Sequence, residues 1–205
     1  SDMGYRIKLG SSNKLKNGPF AGSPEERAKD INAMFADPSI DAIFCARGGY
    51  GCNKVLPLLD YELIKDNPKI FMGFSDITAC LNSITQKTKM VSFHGPMLVS
   101  NKNGPIDFNM RIMQQVLSGT SDMIIDTPKE SPAHILKSGA GKGPLWGGNM
   151  TLLINRLGTK DNINTDGVIL FLEDINEYLY SFERMLIHMK NAGMFDKIVG
   201  LVFGE

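Results

Sequence analysis

Lys69-Ile70-Phe71-Met72-Gly73-Phe74-Ser75-Asp76-Ile77-Thr78-Ala79-Cys80-Leu81-Asn82-Ser83-Ile84 passes from an apolar run through a short polar turn into a second apolar stretch. Residues 69–73 read as a buried strand and residues 77–84 as the helix that follows it. The segment before them has the same grammar. Ser23-Pro24-Glu25-Glu26 supplies an N-cap, a proline at the first helical position and a glutamate that closes a capping box. Ala28, Ile31, Met34 and Phe35 continue at helical spacing until Asp37-Pro38 stops the run. Asp41-Ala42-Ile43-Phe44-Cys45-Ala46 is then a second buried strand, broken by Gly48 and Gly49. Strands that alternate with helices predict an α/β fold with a mainly parallel sheet flanked by helices, whose ligand sites lie at the carboxyl ends of the strands.

Beyond Asn101 the pattern loosens into a helix around Met110–Leu117 and a polar stretch with Pro128 and Pro132. A second, smaller α/β lobe opens at Gly141-Lys142-Gly143-Pro144-Leu145-Trp146-Gly147-Gly148-Asn149. It continues through a helix bearing Leu152, Leu153 and Leu157, a strand over 168–172, a helix over Phe182–Met189 and a strand over 198–203. The expected domains are 1–118, which carries Ser75, a linker over 119–137, and 138–205. Tyr5-Arg6-Ile7-Lys8-Leu9-Gly10 also reads as a strand, and its abrupt onset suggests that the natural chain starts earlier.

Lys and Arg number 22 against 22 Asp and Glu, in a chain that is 42% hydrophobic and 21% charged. That balance argues against nucleic acid or an anionic membrane as partner, since either favours a basic excess. Val168-Ile169-Leu170-Phe171-Leu172 is far too short to span a bilayer. Ser1–Tyr5 lacks the basic-then-apolar pattern of a secretory leader. Cys45, Cys52 and Cys80 are odd in number and fit neither a disulfide framework nor a zinc knuckle, so free thiols and a reducing compartment are expected.

Ser75 falls on the turn between a strand and a helix, where a sharp bend lifts a hydroxyl clear of the sheet and aims helix amides at it. The amide of Asp76 is then a natural oxyanion donor. The plainer alternative is that Ser75 or Asp76 caps the helix. Arg47-Gly48-Gly49-Tyr50-Gly51 allows close backbone approach, so Gly48 and Gly49 are candidates for a second oxyanion amide and Arg47 for holding a substrate carboxylate. A simple glycine turn is the rival reading. Glu173 ends a wholly apolar strand, where a carboxylate is costly unless paired or placed in a cleft, which makes it a candidate to orient an imidazole. Asp174 and Glu177 are nearly as eligible. Of the three histidines, His94 lines the cleft or serves as a structural residue, while His134 and His188 look ordinary. No histidine, cysteine or acid cluster has metal-ligand spacing.

Ala36-Asp37-Pro38, Arg47-Gly48-Gly49-Tyr50-Gly51, Leu56-Pro57-Leu58-Leu59-Asp60-Tyr61, Asn67-Pro68-Lys69, Gly73-Phe74-Ser75-Asp76-Ile77-Thr78, His94-Gly95-Pro96-Met97, Gly147-Gly148-Asn149 and Phe171-Leu172-Glu173-Asp174, in this order, closely resemble the LD-carboxypeptidase family. The resemblance implies a class I glutamine-amidotransferase-like N-terminal lobe and a cytoplasmic serine peptidase that releases the terminal D-alanine of murein tetrapeptides, without metal or cofactor. A homodimer is the assembly considered. The resemblance makes Ser75 the nucleophile and Glu173 the acid of a Ser-His-Glu triad, with Asp76, Gly48 and Gly49 at the oxyanion position. The family's histidine lies further toward the C-terminus than Glu205, and none of the three histidines present matches it. The family also begins with one more strand and helix than this sequence shows. A microcin-immunity-type peptidase, or a non-catalytic binder of peptidoglycan fragments, are the alternatives.

Overall fold

The computed structural model describes residues 5–98, 107–119, 127 and 132–204. Helix α1 (Pro24–Ala36) begins on the expected capping box: the Glu26 amide donates to Ser23 Oγ at 3.2 Å and the Ser23 amide to Glu26 Oε2 at 2.7 Å. Strand β1 (Ala42–Phe44) leads through two short helices, α2 (Cys52–Val55) and α3 (Tyr61–Asp66), to β2 (Ile70–Gly73). Helix α4 (Thr78–Thr88) then returns the chain to β3 (Phe93–His94). The three strands are parallel in the order β1-β2-β3, with Ile43 opposite Phe71 and Gly73 opposite His94. Parallel pairing requires crossovers, and the intervening helices provide them.

The first core forms where α1, α3 and α4 cover this sheet. Phe35 and Phe71 are almost wholly buried and lie 5.8 Å apart between ring centres. Burial of each is worth about 2–3 kcal/mol. Ile64, Ala79 and Ile84 complete the contact. Because the apolar residues of α4 all turn inward, the helix is buried along most of its length, polar Asn82 and Ser83 included.

After α5 (Asp107–Leu117) the second sheet comprises β4 (Leu145–Asn149), β5 (Ile169–Glu173) and β6 (Gly200–Phe203), again parallel in sequence order. Helix α6 (Met150–Asn155) connects β4 to β5, and α7 (Leu179–Asn191) connects β5 to β6. Met150, Leu153, Leu170, Leu172 and Met189 fill this lobe's core. Polar groups bind the two lobes along α4. Asn82 Nδ2 donates to the Gly147 carbonyl at 3.0 Å, and buried Arg156 donates to the Ala79 carbonyl at 2.9 Å and to Ser83 Oγ at 2.7 Å. Arg156 also reaches the Asp161 carbonyl.

The α/β class and the parallel strands follow the sequence reading, with two differences. Tyr5–Gly10 forms no strand: Tyr5, Ile7 and Leu9 are all exposed, and alternation alone does not make a strand. The segment is instead held to α1, with Lys8 Nζ 2.5 Å from Asp37 Oδ2 and the Ser11 and Ser12 amides on the Asp30 carboxylate. Residues 145–149 form a full strand that the Trp-Gly-Gly-Asn composition conceals. The expected linker over 119–137 lies largely outside the described residues, as does the loop that opens at Asn101. Among the described residues no helix is long and apolar enough to cross a membrane.

Candidate active site

The carboxyl ends of β1, β2 and β3 open on one edge, where Ser75 and the Gly48-Gly49 loop lie. Ser75 opens a single 3₁₀ turn (Ser75–Ile77) between β2 and α4. Its φ is +60°, a left-handed conformation that costs a non-glycine residue roughly 1–2 kcal/mol and brings the hydroxyl off the strand axis. No side chain caps this turn or α4, so Ser75 does not serve as a helix cap. As the second residue of the turn, Asp76 has an amide that the turn itself leaves without an acceptor. Its carboxylate is buried and accepts the Cys52 amide at 2.9 Å, fixing the loop after β1 against the serine turn.

That loop carries Gly48 and Gly49. A Cβ on Gly48 would lie 3.0 Å from Ser75 Cβ and 3.2 Å from Ser75 Oγ, so only a backbone without a side chain comes this near the hydroxyl. Gly49 has φ +123°, a backbone conformation that favours glycine. Arg47 is exposed and donates through Nε to the Gly48 carbonyl at 3.3 Å.

Glu173 ends β5 opposite Asn149. Only 8% of it is exposed, and its Oε1 is buried with no hydrogen-bond partner. Desolvation pushes its carboxyl pKa up, the neighbouring Asp174 adds to this, and a hydrogen bond with Asn149 opposes it. The two rival acids are committed elsewhere. Asp174 accepts from Asn149 Nδ2, the Ile175 amide, and the amide and hydroxyl of Thr151. Exposed Glu177 accepts from Ser181 Oγ at 2.6 Å at the start of α7.

His94 stands between the lobes. Its backbone pairs with Gly73, its ring meets the Phe171 ring edge-on at 5.2 Å, and its Nε2 is 3.9 Å from Glu173 Oε1. That separation is too long for a hydrogen bond. Burial lowers the imidazole pKa to about 4, so His94 is neutral at neutral pH and the contact is not an ion pair. His134 and His188 are exposed, His188 on α7. The sequence left His94 undecided between cleft and core; its adjacency to Glu173 depends on the meeting of two sheets, and no local pattern carries it.

A depressed histidine pKa means that the unfolded chain binds more protons than the folded one below pH 6.5. His94 therefore adds stability above pH 6.5, and the contribution is lost as pH falls toward about 4. The raised Glu173 carboxyl acts in the opposite sense, since its stabilisation is present at low pH and lost as pH rises above 4.5 through the folded value. Urea unfolding over this range in a Glu173→Gln background is expected to show stability falling with acid, and His94→Gln is expected to flatten that slope. Equal slopes with and without the imidazole would contradict the assignment.

The cysteines offer no competing nucleophile. Cys52 is raised by its contact with Cys80 and by burial, and burial raises Cys45, so both remain thiols. Among the described residues no group of three His, Cys, Asp or Glu side chains could hold a metal ion.

Two parallel α/β lobes, one raising a serine on a strand-to-helix turn and the other ending a strand in a desolvated glutamate, define a bilobal α/β protein. Family models of the LD-carboxypeptidase N-terminal and C-terminal domains match residues 1–95 and 142–205. The chain belongs to the LD-carboxypeptidase family. It is 36% identical over 207 aligned positions to the probable murein peptide carboxypeptidase of Bacillus subtilis, covering 98% of this chain and 63% of that protein. With the microcin C7 self-immunity protein MccF of Escherichia coli it shares 31% identity, covering 98% of this chain and 67% of that protein. The solved MccF-like protein from Bacillus anthracis superposes with a TM-score of 0.87 at 28% identity, over 100% of this chain and 69% of that one. The muramoyltetrapeptide carboxypeptidase of Oxalobacter formigenes gives 0.82 at 29%, over 100% and 68%. The chain thus spans a little under two thirds of several curated relatives.

Proposed function

We propose that this chain carries the nucleophile and the acid of a serine carboxypeptidase that cuts the L-to-D peptide bond of murein tetrapeptides and releases the terminal D-alanine. In the cytoplasm this returns cell-wall peptides to use; a homodimer is the assembly we favour. The observation that carries the reading is the left-handed Ser75 turn with the Gly48 backbone pressed against its hydroxyl. Ser75 Oγ attacks the carbonyl carbon on the L side of the scissile bond, and its proton passes to an imidazole. The tetrahedral oxyanion is met by the Asp76 amide and by an amide of the Gly48-Gly49 turn. Collapse breaks the C–N bond, the D-alanine amine takes the proton from the imidazole, and water then hydrolyses the acyl-serine by the same steps in reverse order of roles.

The resemblance puts the family's histidine beyond Glu205, and Glu173 retains one buried oxygen that an imidazole N–H could occupy. Arg47, exposed beside Gly48, is the candidate for the substrate's terminal carboxylate. MccF relatives are solved with aspartyl sulfamoyl adenosine and glutamyl sulfamoyl guanosine, so that ligand class is the comparison substrate. Treatment of the protein with a fluorophosphonate, followed by peptide mapping, is expected to place the label on Ser75, alongside D-alanine release from tetrapeptide. Tetrapeptide binding without label would make the protein a non-catalytic binder. Faster cleavage of the sulfamoyl nucleotide would move it to the immunity type.

A further inference from the structure

We propose that the Thr78 hydroxyl is a positioning residue that sets the separation of Ser75 and Glu173 across the lobe boundary; this rests on the reading of those two residues as nucleophile and acid. Thr78 opens α4, three positions after Ser75, and is fully buried. Its Oγ1 accepts the Asn149 amide at 3.2 Å, a bond between residues 71 apart in sequence. Asn149 is the β4 residue in register with Glu173. One hydrogen bond therefore joins the turn that carries the serine to the strand pair that carries the acid.

The surroundings are shaped to this contact. Gly148 has φ +124°, and a Cβ there would lie 2.8 Å from both Thr78 Oγ1 and Cγ2 and 3.2 Å from His94 Nδ1. The strand can reach the threonine and the histidine only because that position is bare. Asn149 is itself held, with its side chain accepting the Leu152 amide at 3.2 Å and donating to Asp174 at 3.1 Å, so a pull on its backbone is passed to the end of β5. Other bonds cross the boundary, Arg156 to Ala79 and Ser83 of α4 and Asn82 of α4 to the Gly147 carbonyl, and all three α4 residues lie beyond Thr78 along the helix. They hold the lobes together; Thr78 fixes the register at the reacting end.

A β-branched residue is a poor helix former, and in the buried first turn of α4 the Thr78 hydroxyl is the group that bonds across the lobes. Thr78→Val keeps the shape and removes the acceptor. Displacement of reacting groups by about 1 Å costs on the order of 100-fold in rate. Thr78→Val is accordingly expected to lower kcat and the rate of Ser75 phosphonylation by about 10- to 100-fold with KM nearly unchanged, and Thr78→Ser to restore most of both. Exchange of the Asn149 amide is expected to accelerate in the valine variant and not in the serine variant. The crystal structure of the valine variant should show the Ser75-to-Glu173 separation changed.

If the valine variant does not fold, Thr78→Ala carries the same measurements. Wild-type rates of phosphonylation, together with unchanged Asn149 exchange and unchanged separation, would overturn the proposal. A wild-type protein that takes no phosphonate would instead overturn the peptidase reading, and the exchange and the separation would still decide whether Thr78 sets the geometry.

Discussion

Ser75→Ala is expected to abolish D-alanine release and fluorophosphonate labelling, a loss of at least about 10⁴-fold, while leaving the fold intact. The rate effect follows from the loss of the attacking oxygen, for which no nearby group substitutes: Cys45 and Cys52 are raised thiols, and the Asp76 carboxylate is bonded to the Cys52 amide. The small effect on folding follows because the Ser75 side chain caps neither the 3₁₀ turn nor α4. Ser75→Gly sharpens the expectation. Relief of the +60° φ is expected to stabilise the protein by about 1 kcal/mol, although the enzyme is dead. Thermal melts of the two variants beside the activity assay check both halves. An alanine variant that still releases D-alanine at the normal rate would remove Ser75 from the reaction, and a glycine variant that melts lower would mean that the strained turn is held by the hydroxyl.

Gly147→Ala is expected to prevent stable folding. A Cβ at this position would lie 1.8 Å from the Phe171 carbonyl oxygen and 2.8 Å from its carbon, in a backbone conformation with φ +138°. Both neighbours are main-chain atoms of the central strand of the second sheet, so no side chain can swing aside. Relief requires β4 and β5 to part along a register that runs from Leu145–Ile169 to Asn149–Glu173. The loss is expected to exceed about 4 kcal/mol, a large part of a normal domain's stability. Gly158→Ala is the control: its φ is +76° but no atom lies within 4 Å of the added carbon. It should cost about 1 kcal/mol, from backbone strain alone. Circular dichroism melts of both variants decide the point, and a Gly147→Ala protein melting within a few degrees of wild type would refute it.

The elements that could be read from sequence are those whose signals are local. Ser23-Pro24-Glu25-Glu26 specifies the start of α1 because the bonds that cap it run between residues three apart. Ile70–Gly73 and Ile169–Glu173 announce themselves as apolar runs because both faces of a parallel strand are covered. The strand Leu145–Asn149 was hidden for the opposite reason: its glycines serve close approach to β5 and α4, and composition reports them as loop. Tyr5–Gly10 has the alternation of a strand but does not form one, and its apolar residues are exposed.

The same division runs through the candidate site. Ser75 was visible as a serine at a strand-to-helix turn, and Glu173 as an acid closing an apolar strand. The choice of Glu173 over Asp174 and Glu177 becomes physical only when the hydrogen bonds of the latter two are seen. Thr78, Asn149 and the proximity of His94 to Glu173 had no local signature at all, since each depends on the second lobe arriving beside α4.

The span of the Thr78–Asn149 bond, 71 residues, bears on when the chain becomes reactive. Strand pairs and helices within each lobe close short loops and form early, whereas contacts between distant segments come late. The contact proposed to align Ser75 with Glu173 is therefore expected to form after the serine turn itself. On the proposed reading, a molecule with one lobe folded would hold the Ser75 hydroxyl without its alignment to Glu173.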